Sequence, residues 1–565
     1  MSQDHPPSIQ KMLADGLQHH RAGRLTEAER IYRQILTMNP RHADSLHLLG
    51  MIAYEAGEFE TAADLIRKAI SINQQGTSYF SNLGNVFYAQ GKLDEAKALY
   101  KHALLLKPDM AEVHVNLGNV LQAQGDLSES IQCYERALAL KPDNAETHNN
   151  LGNARQTLGQ IAEAIACYEQ ALRLKPEYVE AFYNLGNAYR EMDNLDESVA
   201  SYRQALFIKP GYAEAHYNLG NVLRAQGKVD QALIEYERAL EIRPDYAQAA
   251  FGHALLQLLQ GSFMAGWQNF EWRWRTADHD TPRRTYSQPL WRGEQLQSGS
   301  LLLWGEQGVG DEIQFAGLIP EALQTGNRIV LDCDARLRPL FARSFPEVEV
   351  ISGGPGFQPG PEIVSQMPTG SLPGLFRRTD SAFAATTAPY LFADPQERNR
   401  LRAGYADGRR LMGLAWHTNN LKTGRFRAIE LTKFAPLFKL PGIRWVSLQY
   451  GDHGALAKDA VAAGAPILID RTVDQLADID LFAAQVAAMD LVITIDNSTA
   501  HLAGALGIPV WVLLPFAPDW RWLLDRQDSP WYPAMRLFPQ PEAGDWASVI
   551  ESVRKALVSQ NSSFR

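Results

Sequence analysis

Asp311 stands in the glycine-rich stretch GEQGVGDEIQF, residues 305–315, directly after the apolar run LLLW. Gly305, Gly308 and Gly310 permit a ligand to approach the backbone closely. Asp311 would lie at the carboxyl end of a strand, where open α/β sheets bind ligands, and its carboxylate could accept a proton from an incoming hydroxyl. The alternative is that Asp311 only N-caps the helix that follows.

A second stretch whose residues could bind a ligand is ITIDNSTAHLAGALGIPVWVLLP, residues 493–515. An apolar run ends here in a carboxylate, and polar residues follow it: Asp496, Asn497, Ser498, Thr499 and His501. Unpaired backbone N–H groups at a helix start, with hydroxyls beside them, form a site for phosphate oxygens, and we expect this start to be free. Alternatively, Ser498 caps an ordinary helix and His501 is a core or surface histidine.

Strands and helices alternate in the part of the chain that must position these residues. After Arg275 short apolar runs are separated by helix-compatible segments. The runs cover residues 301–304, 328–334, 348–352, 411–416, 444–450, 465–470, 491–496 and 510–514. Such alternation predicts doubly wound parallel α/β sheets. A loop-rich region at 353–374 and a charged stretch at 394–410 interrupt the series, so we expect two subdomains, residues 298–400 and 405–558, with a cleft between them.

Glycine recurs every 34 residues in the first half of the chain. The column consists of Gly16, Gly50, Gly84, Gly118, Gly152, Gly186 and Gly220. A small residue stands twelve positions after each glycine, and Tyr or Ile stands four positions further on, as Ser130 and Tyr134 do after Gly118. Small residues let two helices approach closely, and the aromatic ring fills the groove between them. These columns resemble the tetratricopeptide repeat family over residues 8–275, which implies an α-helical solenoid of seven full repeats and a partial one.

Three tryptophans close this array: Trp267, Trp272 and Trp274. Exposed clusters of Trp are uncommon, so we expect them to form a buried joint to the second half of the chain. Residues 276–297 would then be a linker. The alternative is a simple capping helix with surface aromatics.

The two loops together resemble the heptosyltransferase-like glycosyltransferases of family 9. Gly310, Asp311 and Pro320 match the first motif of that family. Its second motif is matched by Asp496, Asn497, His501, Leu502, Ala505, Leu506, Gly507 and Pro509. Asn497 stands where the family has a hydroxyl residue. The resemblance covers residues 298–558 and implies the GT-B architecture of two facing Rossmann-like subdomains.

The same resemblance implies a basic residue in the stretch HTNNLKTGRFRAIEL, residues 417–431, to neutralise a nucleotide diphosphate. Arg427 is the best match, with Lys422 and Arg425 as rivals, because the family's usual Lys-Arg-Trp-Pro run is absent. A departing diphosphate needs cations or amide dipoles. No cluster of His, Asp or Glu has metal-ligand spacing, so we expect a metal-independent enzyme with a nucleotide-sugar co-substrate and no cofactor.

Composition argues against other classes of function. The chain has 565 residues, 45% of them hydrophobic and 21% charged, and a formal net charge of −10, which disfavours nucleic acid as a partner. No run approaches the roughly 20 apolar residues of a transmembrane segment, and the start MSQDHPPSIQ lacks the pattern of a signal peptide. Three cysteines without a CxxC pair indicate the reducing cytoplasm.

A repeat array joined to such a transferase is similar to O-GlcNAc transferases and bacterial repeat-containing glycosyltransferases. One Asn column precedes the glycines: Asn82, Asn116, Asn150, Asn184 and Asn218. A second column follows them: Asn85, Asn119, Asn153, Asn187 and Asn221. In the repeat family these columns face the concave groove, where Asn amides can hold an extended peptide. The alternative is that NLGN is only the commonest consensus sequence of such repeats.

We therefore expect an inverting glycosyltransferase that modifies a protein acceptor recruited by the repeat groove. Asp311 would be the general base, unpaired by any arginine and projecting toward residues 496–501. Two alternatives stay open. One is a non-catalytic repeat scaffold with a degenerate GT-B module, and the other is a transferase that acts on a cell-surface glycan or lipid-linked sugar.

Overall fold

The computed structural model describes residues 8–276, 283–386, 388–418 and 424–562. The chain folds into two compact units, Met1–Asn218 and Leu219–Arg565. The boundary between them lies inside the repeats, whereas the expected boundary was at residue 275. The last repeats therefore belong to the same compact unit as the α/β part. Within the described ranges, no helix has the length and apolar character needed to cross a membrane.

The repeats consist of consecutive helix pairs. The first helices of the pairs are α1 (Ile9–Arg21), α3 (Ala43–Glu55), α5 (Thr77–Ala89), α7 (Ala111–Ala123), α9 (Ala145–Thr157), α11 (Val179–Glu191), α13 (Ala213–Ala225) and α15 (Ala247–Leu259). The second helices are α2 (Leu25–Met38), α4 (Phe59–Ile72), α6 (Leu93–Leu106), α8 (Leu127–Leu140), α10 (Ile161–Leu174), α12 (Leu195–Ile208), α14 (Val229–Ile242) and α16 (Phe263–Phe270). The eighth pair is shortened, because α16 continues into the 3₁₀ helix Glu271–Arg275.

The glycine column exists because an aromatic ring occupies the space of its missing side chain. A Cβ atom on Gly118 would lie 2.6 Å from the ring of Tyr134, and one on Gly152 would lie 2.5 Å from the ring of Tyr168. Both rings are fully buried. The small residue Ser130 is also fully buried and donates its hydroxyl to the Gly118 carbonyl at 2.8 Å. The close helix approach predicted from these columns is confirmed.

A turn with a left-handed residue joins the two helices of each pair. Gly125, with a φ of 84°, occupies this position between α7 and α8. Asp193 takes it between α11 and α12 with a φ of 63°. Glycine adopts this conformation without steric cost, and Asp is one of the few other residues that tolerate it.

The first sheet consists of four parallel strands in the order β3-β2-β1-β4. They are β1 (Ser300–Trp304), β2 (Arg328–Asp332), β3 (Glu349–Ile351) and β4 (Ile363–Pro368). The helices of this part are α17 (Val309–Ala316), α18 (Ile319–Gln324), α19 (Arg338–Ser344) and α20 (Pro373–Phe376). The region 353–374, predicted to be loop-rich, also contains strand β4, which the sequence did not indicate. Its buried Ser365 donates to the Pro289 carbonyl at 3.0 Å. This partner, far away along the chain, allows a polar residue inside a strand.

The second sheet consists of six parallel strands in the order β10-β9-β8-β5-β6-β7. They are β5 (Arg410–Ala415), β6 (Ile443–Ser447), β7 (Ile467–Leu468), β8 (Leu491–Ile495), β9 (Val510–Leu514) and β10 (Met535–Pro539). The helices are α21 (Pro395–Tyr405), α22 (Gly424–Arg427), α23 (Ala435–Phe438), α24 (His453–Ala462), α25 (Ile479–Ala487), α26 (Ser498–Ala505) and α27 (Trp546–Ser562). The sequence analysis did not anticipate β10, and part of the charged stretch 394–410 forms α21.

The end of the repeats packs on the α/β part of the same unit. The Trp267 ring lies edge-on to Trp520 at 5.2 Å between centroids, and its Nε1 donates to the Arg377 carbonyl at 2.8 Å. Trp274 packs against Trp304 of β1 at 5.5 Å. The buried joint is confirmed for Trp267, which is buried, whereas Trp274 is half-buried at the same joint. Trp272 packs against the Arg275 guanidinium.

Candidate functional site

The structure brings the two sequence-predicted loops together. Helix α17 follows β1 of the first sheet, and α26 follows β8 of the second sheet. A Cβ atom on Gly310 would lie 3.3 Å from Cδ2 of His501 and 3.4 Å from the Cα of Ser498. Glycine at position 310 therefore lets the starts of the two helices approach each other. The two starts form one site at the carboxyl ends of strands from both sheets.

Asp311 is the third residue of α17, and both oxygens of its carboxylate have partners. Oδ2 accepts a hydrogen bond from the Gly308 N–H at 3.2 Å, and Oδ1 accepts one from Nη2 of Arg521. The expectation that no arginine pairs with Asp311 is wrong. Arg521 lies in the turn after β9, 210 residues along the chain, so no local pattern indicates this contact. Asp311 supports the helix start as well, but Gly308 is the N-cap residue.

Arg521 is the central residue of the site and was not among the residues predicted from the sequence. Its Nε donates to Oε1 of Gln314 and its Nη1 to Oδ1 of Asp519, both at 2.7 Å. The guanidinium also lies 4.3 Å from the centroid of the Trp520 ring. With 13% of its side chain exposed, Arg521 links α17 of the first sheet to the turn after β9 of the second. The signal in the sequence is a charged pair, Asp519 and Arg521, embedded in the aromatic run DWRW.

Arg427 is the predicted basic residue that the structure places in the site. Its Nη1 lies 3.2 Å from Oδ2 of Asp496, and its Nη2 lies 3.8 Å from Oδ2 of Asp519. Its rival Lys422 lies outside the described residues, as does the side chain of Arg425. Arg427 therefore shares the carboxylate of Asp519 with Arg521.

The site contains more carboxylates than guanidinium groups. Asp311, Asp496 and Asp519 face Arg427 and Arg521. Burial raises the pKa of Asp311 against the opposing effect of Arg521, and burial likewise raises the pKa of Asp496 against the effect of Arg427. We call these five residues the carboxylate-arginine cluster.

The start of α26 is occupied by its own N-cap residue. Oδ1 of Asn497 accepts hydrogen bonds from the Thr499 N–H at 3.0 Å and the Ala500 N–H at 3.4 Å. Thr499 and Ala500 are fully buried. The expectation of a free helix start is therefore wrong, because the short Asn amide reaches the N–H groups that a phosphate would need. Ser498 is the first helical residue, so the alternative in which it caps the helix is also wrong.

His501 is a buried core histidine beside the cluster. Its Nδ1 lies 2.9 Å from the Tyr532 hydroxyl, and its ring stacks on Trp522 at 5.3 Å between centroids. Burial lowers the pKa of His501 from 6.5 to about 3, assisted by the nearby charge of Arg521. The imidazole is therefore neutral at pH 7 and can donate or accept only a neutral hydrogen bond.

Some polar atoms of α17 and of the start of α26 have no hydrogen-bond partner among the described residues. These buried side-chain atoms are Nε2 of Gln314, Nδ2 of Asn497 and Oγ1 of Thr499. Buried polar atoms are usually paired, and exceptions gather at functional sites.

The Asn columns of the repeats form a hydrogen-bonded ladder. Oδ1 of Asn119 accepts from the Tyr134 hydroxyl at 2.7 Å and from Nδ2 of Asn150, in the next repeat, at 3.2 Å. Further rungs run from Asn116 to Asn85 at 3.0 Å, from Asn218 to Asn187 at 3.2 Å, from Asn184 to Asn149 at 3.0 Å, and between Asn82 and His47 at 2.8 Å. The Asn side chains predicted to bind a peptide therefore already spend one of their N–H groups on a hydrogen bond within the protein. Their place in a peptide groove stays a prediction.

Comparison with known proteins identifies the repeats. A family described as the C-terminal domain of cilia and flagella-associated protein 70 matches residues 7–208, and the tetratricopeptide repeat family matches residues 183–247 and 217–263. Protein FlbA of Caulobacter vibrioides is 34% identical over 331 residues, which cover 54% of each chain. The chain thus spans about half the length of this curated relative.

Solved structures similar to part of this chain include YrrB and MamA. YrrB, described as a TPR protein with an unusual peptide-binding site, is 27% identical and covers 33% of this chain and 96% of its own, with a TM-score of 0.30. MamA is 27% identical and covers 29% of this chain and 97% of its own, with a TM-score of 0.28. The tetratricopeptide repeat match and the consecutive helix pairs together support a helical repeat solenoid from Ile9 to Phe270.

Proposed function

We propose that this chain is a glycosyltransferase that moves a sugar from a nucleotide-sugar donor to a protein acceptor recruited by its repeats. The reaction would be inverting and metal-independent, and the two parallel sheets would be the halves of a GT-B fold. The carboxylate-arginine cluster carries the proposal. It joins residues that follow β1, β5, β8 and β9 at one place, where α/β sheets bind their ligands.

Asp311 would act on the acceptor side as the general base. The Gly308 N–H and Arg521 each take one of the lone pairs of its carboxylate, and an ionised carboxylate offers about four acceptor sites. The remaining sites can receive the proton of an acceptor hydroxyl. Burial, which raises the pKa of Asp311, makes the carboxylate a stronger base, while Arg521 fixes its orientation.

Arg427 and Arg521 would act on the donor side. A diphosphate leaving group gains negative charge as the bond to the sugar breaks, and guanidinium groups stabilise it through paired N–H donors. In the structure Asp496 and Asp519 hold these arginines. Because Asn497 already caps α26, we assign the diphosphate to the arginines and not to the backbone of that helix.

The scaffold alternative has one observation in its favour. The carboxylate of Asp311 is bound by Arg521, and the start of α26 is capped, so both predicted loops are satisfied by the protein itself. An interaction module without catalysis would need nothing more. A direct binding experiment separates this alternative from the transferase.

The experiment is a thermal-shift screen of the full chain against UDP-, GDP-, ADP- and CMP-linked sugars, followed by transfer assays with the best donor. A ligand at 100 times its Kd stabilises the native state by about 2.7 kcal/mol, and we expect this from one donor class in wild type. Arg427→Met should abolish the shift. Transfer should persist in EDTA and should go to protein acceptors rather than to glycan or lipid-linked acceptors. No shift with any donor, together with no transfer, would reject the transferase in favour of the scaffold.

A further inference from the structure

Glu306 belongs to the glycine-rich loop of Asp311, yet a residue of the terminal repeat binds it. Its side chain is fully buried. Oε2 accepts from Nε of Arg273 at 2.9 Å, and Oε1 accepts from Nη2 of the same residue at 2.8 Å. Arg273 lies in the 3₁₀ helix Glu271–Arg275 that ends the repeats. A bidentate ion pair therefore joins the end of the repeats to this loop.

Every N–H donor of Arg273 has an acceptor. Besides the two bonds to Glu306, Nη2 donates to Oγ of Ser371 at 2.9 Å, and Nη1 donates to the Phe270 carbonyl at 3.2 Å and to Oε1 of Glu271 at 2.9 Å. The guanidinium lies 4.6 Å from the centroid of the Phe270 ring and 4.5 Å from a ring of Trp274. The planar group is thus fixed in position and orientation, which a lysine could not reproduce.

The loop between Glu306 and Asp311 has little freedom of its own. A Cβ atom on Gly370 would lie 2.2 Å from Oε1 of Glu306, and one on Gly305 would lie 2.4 Å from Cδ of Glu312. Gln307, directly after Glu306, has a φ of 66°. A non-glycine residue is strained in this region, and such strain persists only when the surroundings impose it. The contacts of Glu306 are one such constraint.

We propose that Arg273 is a positioning residue of the candidate site. From the last turn of the repeats it holds Glu306, and through Glu306 it fixes the backbone that presents Gly308 and Asp311. The site would then depend on the terminal repeat, because the loop takes its conformation from outside its own sheet. The effect on the loop follows from these contacts alone, whereas the effect on catalysis rests on the proposed transferase function.

The test replaces the ion pair without leaving a buried charge unpaired. In the double variant Arg273→Met/Glu306→Met of the full chain, apolar side chains of similar length fill the space, so the protein should still fold. We expect hydrogen exchange of the backbone amides of residues 305–311 to accelerate at least 10-fold. With an active donor, we expect kcat to fall about 10-fold and the KM for the donor to change less than twofold.

A second buried arginine pair in the same unit supplies the matched control. Arg377 is almost fully buried and forms a bidentate pair with Glu321 of α18. Arg377→Met/Glu321→Met should leave the exchange of residues 305–311 within twofold of wild type. If both double variants change this exchange equally, or neither does, the positioning role of Arg273 is wrong. If wild type transfers no sugar but the Arg273→Met/Glu306→Met variant still shows faster loop exchange, the positioning role of Arg273 stands and the transferase is rejected.

Discussion

The Asn ladder of the repeats and the carboxylate-arginine cluster use similar polar chemistry in different ways. In the ladder, the Tyr134 hydroxyl and Asn119 are 15 residues apart in sequence, and Asn150 and Asn119 are 31 apart. In the cluster, Arg521 and Asp311 are 210 residues apart. The ladder repeats neutral hydrogen bonds along the array. The cluster is a single group of charged side chains that are largely buried.

This difference predicts how each region responds to mutation. A lost rung affects one of several similar rungs, and its groups are neutral, so the cost is that of a single hydrogen bond. A lost arginine leaves buried carboxylates without a partner, and that cost is several times larger.

The largest effect is expected from Arg521→Met. It removes the partner of Asp311 and one partner of Asp519 and leaves Arg427 alone among three carboxylates. The free energy of unfolding should fall by about 3–5 kcal/mol, measured by urea denaturation at pH 7. Arg526→Met is the control, because Arg526 pairs with the exposed Asp528 and should cost below about 1 kcal/mol. Equal costs for the two variants would contradict the central role of Arg521.

Asp311→Asn tests whether the carboxylate-arginine cluster takes part in catalysis. Asparagine keeps the shape of the side chain but loses its basicity, so we expect turnover to fall by about 10²-fold with donor affinity little changed. The measurement is steady-state transfer with the donor found in the thermal-shift screen. Asp334→Asn, at the carboxyl end of β2 and paired with Arg336, should stay within about twofold of wild type. Wild-type turnover in Asp311→Asn would reduce Asp311 to a structural residue of α17.

His501 should make stability depend on pH. Burial lowers the pKa of His501 from 6.5 to about 3 in the folded state, so between these values only the unfolded chain binds the proton. Stability is therefore lost as pH falls below about 6.5. Between pH 7 and pH 5, wild type should lose about 2 kcal/mol more than His501→Gln, as measured by urea denaturation at both pH values. Parallel pH profiles would show that His501 is not the group responsible.

The smallest effect is expected from a rung of the ladder. Tyr134→Phe removes hydroxyl bonds to Asn119 and Gln122 and should cost about 1 kcal/mol. Tyr168→Phe should cost a similar amount, and the double variant should be additive within about 0.5 kcal/mol, because the two hydroxyls have different acceptors. Tyr88→Phe, at an exposed position, serves as the control. Strong non-additivity would mean that the rungs act as one network.

The repeats were predictable because their contacts recur at a fixed spacing. The glycine and tyrosine columns predicted an aromatic ring in the groove between paired helices. The structure places the Tyr134 ring where a side chain of Gly118 would lie. Helices of similar length pack only against their neighbours in such an array, so local columns contain most of the information. The sequence did not show that the unit boundary falls after Asn218, because the same columns continue across it.

The strands of the α/β part were predictable where they are uniformly apolar. Strand β8 is buried along its whole length and reads as LVITI. Strand β4 reads as IVSQMP among glycines and prolines, inside the region that the sequence predicts to be loop-rich. Its Gln366 accepts from Nε1 of Trp304 at 2.8 Å, so a neighbouring strand satisfies the polar side chain that obscured the pattern.

The sequence by itself determined which residues could do chemistry, since Asp311, Arg427 and Asp496 were all candidates before any fold was known. Only the tertiary structure decided their partners. The starts of α17 and α26 pack together at Gly310. In this arrangement the turn after β9 lies beside α17, and Arg521 binds Asp311. Charges separated by 210 residues interact through distance and burial, and no spacing in the sequence encodes either quantity.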